Sequence, residues 1–299
     1  MRINPNLVPN ILADLQQSQV SLNTALQEVS TGKSVTVPSD NPAAAAAMVQ
    51  NTIETGDVDQ YTQNVATVQS TVQSANSVLS SVVTSLTQAL SLGTEGANGT
   101  NSAANMQAIA GQVQGILSSV VSAANTSVGG SFLFGGTSTV TPYTADPTSP
   151  TGYTYNGNND TNSVAIGDDA SVQVNLPGSQ VFSNASNNVL GALSSLLTAL
   201  QTGNKANIET ATTAVNSAVN YVSQQQVFYG NAEVQLNSQT TALQQDTVTL
   251  SSQENNLIGV NEATAATELS QAETDNNAAL AAAAKVLPNS LLNFLAPPS

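Results

Sequence analysis

Apolar residues recur every seven positions along most of this chain. In the second half the series is Ile208, Val215, Val222, Tyr229, Leu236, Leu243, Leu250 and Leu257. An α-helix turns once in about 3.6 residues, so a seven-residue repeat keeps these side chains on one slowly drifting stripe that a supercoiled partner helix can cover. In the first half, Val58, Val65, Val72, Leu79 and Leu86 form a second ladder, with Tyr61, Val68, Ala75, Val82 and Ala89 three residues behind. A shorter copy interleaves Met106, Val113 and Val120 with Ile109, Ile116 and Ala123. Near the start, Val8, Leu15, Leu22 and Val29 repeat the spacing, and Leu12 and Leu26 widen the stripe. Helices from both halves are therefore expected to cover one another within a single chain. Gln239, Asp246 and Gln253 at the d-like positions are poor residues for a two-stranded zipper.

Breakers divide these helices. A first amphipathic helix over residues 6–30 ends before the run from Thr31 to Pro42, where Asn41 suits an N-cap and Pro42 the first helical position. A long helix to about Leu92 follows, with a bend or fray expected at Gly56. Gly93 to Asn101 reads as a turn, and a third helix runs from about Ser102 until Gly129-Gly130. From Ser131 to Phe182, glycines and prolines punctuate short alternating stretches (SFLF, YTYN, SVAI, SVQVNL) that hold six of the eleven aromatic residues, the pattern of small strands and hairpins. Val189 to Leu200 is a short helix with Leu190, Leu193, Leu197 and Leu200 on one face. After the long ladder the phase changes at Leu257-Ile258-Gly259. A last Ala-rich helix, about Asn261 to Val286, carries Ala266, Leu269, Asn276, Leu280, Ala283 and Leu287 before Pro288 and the apolar tail Leu291, Leu292, Phe294 and Leu295. The expected fold is mainly α, an elongated rod of heptad-repeat helices from both chain ends with a β-rich insert. Its divisions are terminal helices at 1–40 and 260–299, a helical rod at 41–130 and 186–259, and the insert at 131–185.

Composition narrows the chemistry. Among 299 residues only 8% are charged, four basic against nineteen acidic, for a net charge of -15. Phosphate backbones require clustered Lys and Arg, so nucleic acid is excluded as a partner, and an anionic membrane surface is disfavoured on the same ground. With no Cys and no His there is no disulfide, thiolate or imidazole chemistry. Ser131 in GGSFLFGG lacks the Gly-x-Ser-x-Gly elbow of hydrolases. Asp57 with Asp59, and Asp168 with Asp169, lack the dense oxygen ligands of a calcium loop and read as solvated surface. No catalytic, cofactor or metal site is expected, and the chain reads as a non-enzyme. No 18-residue apolar run is present, and the N-terminus lacks the basic flank and apolar core of a cleaved secretory signal.

Three stretches carry a family resemblance. Glu28 to Met48, EVSTGKSVTVPSDNPAAAAAM, resembles the flagellin superfamily pattern of Ser-Gly-Lys, Pro-Ser-Asp-Asp-Pro and an Ala-rich helix start, departing at Thr31 and Asn41. Ser131 to Thr144, SFLFGGTSTVTPYT, is similar to the aromatic Gly-Thr turn that opens the middle domain of the hook–filament junction proteins, hook-associated protein type 3. Asn261 to Leu295 is similar to their C-terminal helix and Ser-Leu-Leu-Asp-Phe-Leu-like end. The filament pattern Asn-Ser-Ala-x-Asp-Asp is absent, which favours junction over filament.

The resemblance implies a structural subunit of the bacterial flagellum that joins hook to filament and templates flagellin assembly. It also implies terminal helices in an inner layer and an insert that projects outward. Export would proceed without a cleaved signal peptide to an extracellular flagellar location. The implied partners are flagellin, a neighbouring hook-associated junction protein and a cytoplasmic export chaperone on the C-terminal segment. The expected assembly interface is Val8, Leu15, Leu22 and Val29 with Leu269, Leu280, Leu287, Leu291, Leu292 and Phe294, on terminal helices disordered in the monomer. Two alternatives are a filament flagellin and a secreted adhesin or binding module.

Overall fold

The computed structural model describes residues 7–295, with side chains described from residue 9 to residue 285. Seven helices and six short strands follow one another: α1 (Leu7–Thr31), α2 (Pro42–Gly96), α3 (Ala103–Ala124), β1 (Ser127–Val128), β2 (Ser131–Phe132), β3 (Tyr143–Ala145), β4 (Tyr153–Tyr155), β5 (Ser163–Ala165), β6 (Ser171–Gln173), α4 (Gly178–Val181), α5 (Val189–Thr202), α6 (Lys205–Ile258) and α7 (Glu262–Leu295). The fold is mainly α with a small β-rich part, as the periodicity predicts.

Asparagine begins many of these helices. The Asn41 carboxamide accepts the Ala44 N–H, Asn188 that of Gly191, Asn204 that of Asn207, and Asn261 those of Ala263 and Thr264. Ser102 does the same for Asn105 at the start of α3. Each short oxygen acceptor satisfies a donor that the first turn leaves unpaired. Four boundaries differ from the sequence pattern, the first being that α2 continues past Leu92 through Gly93 to Gly96. α2 runs unbroken through Gly56, because one glycine costs only about 1 kcal/mol while the flanking turns keep their bonds. α3 stops at Ala124, and Gly129-Gly130, at φ 61° and 85°, form instead the tight turn between β1 and β2. α7 continues past Pro288 to Leu295, although an interior proline costs a helix about 3 kcal/mol.

The chain divides into two compact units, Met1–Asp57 with Asp246–Ser299, and Val58–Gln245. In the second, every rung from Ile208 to Leu243 is buried, together with Val65, Val72, Leu79 and Leu86 of α2 and Val113, Ile116 and Val120 of α3. α3 packs on α5. One hydrophobic cluster joins these stripes to Leu133, Phe134, Ile166, Leu176 and Phe182, so helices and insert share a core.

The insert consists of three antiparallel hairpins, β1–β2, β3–β4 and β5–β6. Its centre is aromatic: Phe134 meets Phe182 edge-on at 5.1 Å, and Tyr143 lies 5.2 Å from Tyr155. The Asn125 carboxamide, just after α3, accepts the Tyr143 N–H and donates to the Tyr143 carbonyl, both at 2.8 Å, as a neighbouring strand would. The β5–β6 hairpin straps two helices. Asn64 of α2 donates to the Ala165 carbonyl at 2.9 Å and Gln235 of α6 to that of Ser171 at 3.4 Å. Below it, the Tyr229 hydroxyl accepts the Leu176 N–H at 3.2 Å.

Candidate assembly interface

In the first unit, α1 packs along α7. The positions of α1 that lose solvent are Ile11, Leu15, Ser18, Leu22, Ala25 and Glu28, spaced three or four residues apart, the register of a helix facing a single partner. On α7 they are Ala265, Leu269, Ala272, Asn276, Ala279 and Ala283. Only Ala25, Ala265 and Ala283 are buried. The Ser18 hydroxyl and the Asn276 carboxamide oxygen are themselves shut off from solvent with no hydrogen-bond partner among the described residues. A groove of about 610 Å³ along the pair is edged by Asp14, Glu28, Glu268 and Asp275 and has no basic residue in its lining.

The predicted interface residues fall into three groups. Leu15, Leu22 and Leu269 are half-buried in this seam. Val29 and Leu280 are 44% and 46% exposed, and beside them Leu12, Val20 and Leu26 also face solvent. The side chains of Val8, Leu287, Leu291, Leu292 and Phe294 lie outside the described residues.

The connectors at the ends of α1 and α7 hold each other. Gly32, at φ 69°, accepts the Val260 N–H at 3.0 Å, and the Ser34 N–H and hydroxyl donate to the Ile258 carbonyl at 2.7 and 3.1 Å. Lys33 adds an exposed ion pair to Glu254 at 3.1 Å. Beyond Gly32 the loop is fixed by Asp40, whose carboxylate accepts the N–H groups of Thr36 and Val37 and is held below the usual carboxylate range by them. A few turns further, Asn51 of α2 is buried and donates to the Leu250 carbonyl at 3.0 Å and to Gln253 at 3.4 Å. Asn51 stands seven residues before Val58, so it occupies a rung of the ladder. Its signal in the sequence was that spacing.

Among the described residues, no group of three or more acidic side chains is placed to hold a metal ion, and no helix is long and apolar enough to cross a membrane. A marked local effect on a carboxylate lies in the β3–β4 loop. Asp146 accepts from the hydroxyls of Thr148 and Thr154 and the Thr148 N–H, which lowers its carboxyl to about 2.

Residues 3–139 match the family model for the bacterial flagellin N-terminal helical region. That segment holds α1, the clamped connector, α2, α3 and the Gly-Thr turn of the insert. The first 46% of the chain is thus similar to the N-terminal region of flagellins. Solved structures carry the comparison through the rest of the fold. A chain described as a flagellar hook-associated protein from Vibrio parahaemolyticus superposes with a TM-score of 0.67 at 20% identity, covering 74% of this chain and 100% of that one. FlgL of Bacillus cereus gives 0.60 at 21% over 69% and 99%. The flagellar junction protein FlgL of Legionella pneumophila gives 0.61 at 14% over 71% and 100%. No curated protein matches this sequence.

Proposed function

We propose that this protein is a structural subunit of the bacterial flagellum that joins hook to filament and presents a flagellin-like end on which filament assembly starts. The observation that carries the reading is the union of a flagellin N-terminal region with a fold shared along nearly the whole length of hook-associated structures. The work of such a subunit is geometric, and the absence of His and Cys from the sequence is in keeping with that. Its partners are flagellin and a neighbouring hook-associated protein, with a cytoplasmic chaperone on the C-terminal segment before export. The location is extracellular, reached without a cleaved signal peptide.

The contact surface is the α1–α7 pair. Leu12, Val20, Leu26, Val29 and Leu280 keep apolar area in water, and helices this rich in Ser, Asn and Gln gain little from propensity alone. On this reading α1 and α7 order fully when subunits assemble. Trypsin then cuts the free chain fast at Lys33 and Lys285 and slowly at Lys205; equal resistance at the three sites contradicts coupled ordering. Antibody to residues 131–182, viewed by electron microscopy, tests the role itself. One spot per flagellum where hook meets filament is the expected result. Label along the whole filament makes the protein a filament flagellin, and label away from flagella rejects the flagellar role.

A further inference from the structure

The sequence has two Asn-Gly steps, Asn98-Gly99 and Asn156-Gly157, and the fold treats them oppositely. Asn-Gly is the dipeptide most open to intramolecular attack on a carboxamide, because glycine has no Cβ to hinder the approach of its own nitrogen. Asn98 and Gly99 are both exposed, in the turn between α2 and α3, and the space around Gly99 is open. The Asn98 carboxamide oxygen accepts the Thr100 hydroxyl at 3.2 Å and the Thr100 N–H at 3.5 Å. Those two contacts fold the side chain back over the Gly99 peptide, and they polarise the carbonyl toward the charge it would gain under attack. The Gly99 N–H has no hydrogen-bond acceptor among the described residues.

At Asn156-Gly157, Asn156 is also exposed and the Gly157 N–H also lacks an acceptor among the described residues, but the Asn156 side chain is tied down. The Asn156 N–H donates to the Pro142 carbonyl at 2.7 Å, and its carboxamide donates to the Thr144 hydroxyl at 2.8 Å, both across the β3–β4 hairpin. Gly157 lies under the Tyr155 ring so closely that a Cβ there would meet the hydroxyl, and that hydroxyl donates onward to the carbonyls of Phe134 and Asn158. Attack on the Asn156 carboxamide therefore requires it to leave the Thr144 hydroxyl, and the Tyr155 ring crowds the approach of Gly157.

The geometry points to Asn98 as a built-in site of spontaneous deamidation, a covalent modification that adds one carboxylate to the α2–α3 turn. Hydroxide removes the Gly99 amide proton, and the nitrogen attacks Cγ of Asn98. The tetrahedral adduct collapses with loss of ammonia, which takes its third proton from water, and leaves a cyclic imide. Water then opens the imide at one carbonyl or the other, giving aspartate or isoaspartate. The isoaspartate product lengthens the backbone by one carbon. It thereby displaces the Asn98 carbonyl from the Asn101 N–H it accepts at 3.2 Å, beside the N-cap of α3.

The test is to incubate the folded full chain in mildly alkaline water enriched in oxygen-18 and to follow both sites by peptide mass spectrometry. A parallel sample in concentrated denaturant supplies the reference. In the folded chain Asn98 should convert several-fold faster than Asn156, whereas in denaturant the two should convert at similar rates. Gly99→Ala, whose side chain enters open space, should suppress conversion at Asn98 with the helical circular dichroism unchanged. Equal rates in the folded chain, or faster conversion at Asn156, overturn the assignment. The assay reads the free chain, so its outcome does not depend on any role in a flagellum.

Discussion

Tyr229 is a rung of the α6 ladder that also bonds to the insert, and removing its hydroxyl isolates that second role. Tyr229 is fully buried and Leu176, whose N–H it accepts, is 4% exposed. Tyr229→Phe keeps the ring and its edge contact with Phe228 at 5.1 Å while leaving the Leu176 N–H with no acceptor in a dry site. An orphaned buried donor costs about 1–3 kcal/mol, whereas the lost hydroxyl volume leaves too small a void to add much. With a urea slope of about 3 kcal/mol/M, a loss of about 2 kcal/mol moves the unfolding midpoint down by about 0.7 M. The assay is urea titration at neutral pH with the slope checked for constancy. An unchanged midpoint would refute the reasoning, because it would mean that the Leu176 N–H finds a substitute partner.

The same variant reverses sign in alkali. Burial pushes the Tyr229 hydroxyl well above its ordinary value of 10.0, and does the same to Tyr143. A raised folded value means that the unfolded chain releases these protons first, so the native state loses stability as pH climbs above 10. Tyr229→Phe deletes one of those groups and should lose stability less steeply than the parent from pH 10 upward. Parallel slopes would exclude Tyr229 as a source of alkaline sensitivity.

Four further perturbations separate the local devices. Asn51→Leu exchanges hydrogen bonds worth about 1 kcal/mol each for apolar burial worth about 1.5–3 kcal/mol, so melting should shift upward by a few degrees. Amide exchange around Leu250 should quicken at the same time, because a polar rung fixes register; a lower melting point contradicts this balance. Asp146 should titrate at about 2 in carboxyl-resolved NMR, and its contribution to stability, complete above its ordinary 3.8, should fade as pH drops from there through about 2. Asp146→Asn should flatten that acid limb, and an Asp146 titration at the ordinary value would remove the cause. At the connectors, Lys33→Met should cost no more than about 0.5 kcal/mol, since its ion pair is exposed. Gly259→Ala should cost about 1–3 kcal/mol because its Cβ would meet the Asn255 carbonyl carbon at 3.2 Å and its oxygen closer still; hydrogen exchange in α1 and α7 reports both, and the reverse order counts against the clamp.

The ladders were legible because each answers to one constraint. A helix flanked by several others must bury the same stripe turn after turn, and Ile208 to Leu243 do so without exception. The caps at Asn41 and the hairpin segments around Tyr153 and Ser171 were likewise written in local side-chain chemistry. The connector clamp was not, because bonds between the backbones of Gly32, Ser34, Ile258 and Val260 leave no side-chain signature across more than two hundred intervening residues. Asn51 lies one step before the ladder that starts at Val58, and a polar rung can be told from a missing rung only by its partner.

α1 departs from its heptad for a different reason, and the departure bears on function. One partner helix covers only a narrow strip, and in α1 that strip runs through Ile11, Leu15, Ser18, Leu22, Ala25 and Glu28. Three apolar residues of the predicted stripe, Leu12, Leu26 and Val29, lie outside it at 56%, 45% and 44% exposure. Hydrophobic periodicity records every surface that a helix covers during its working life, including surfaces that its own chain does not supply. In α6 the recorded stripe and the covered stripe coincide, so that helix is explained by its own fold. In α1 they do not, and under the proposed role the excess is area kept for a neighbouring subunit, on the helix pair where that role requires subunits to meet.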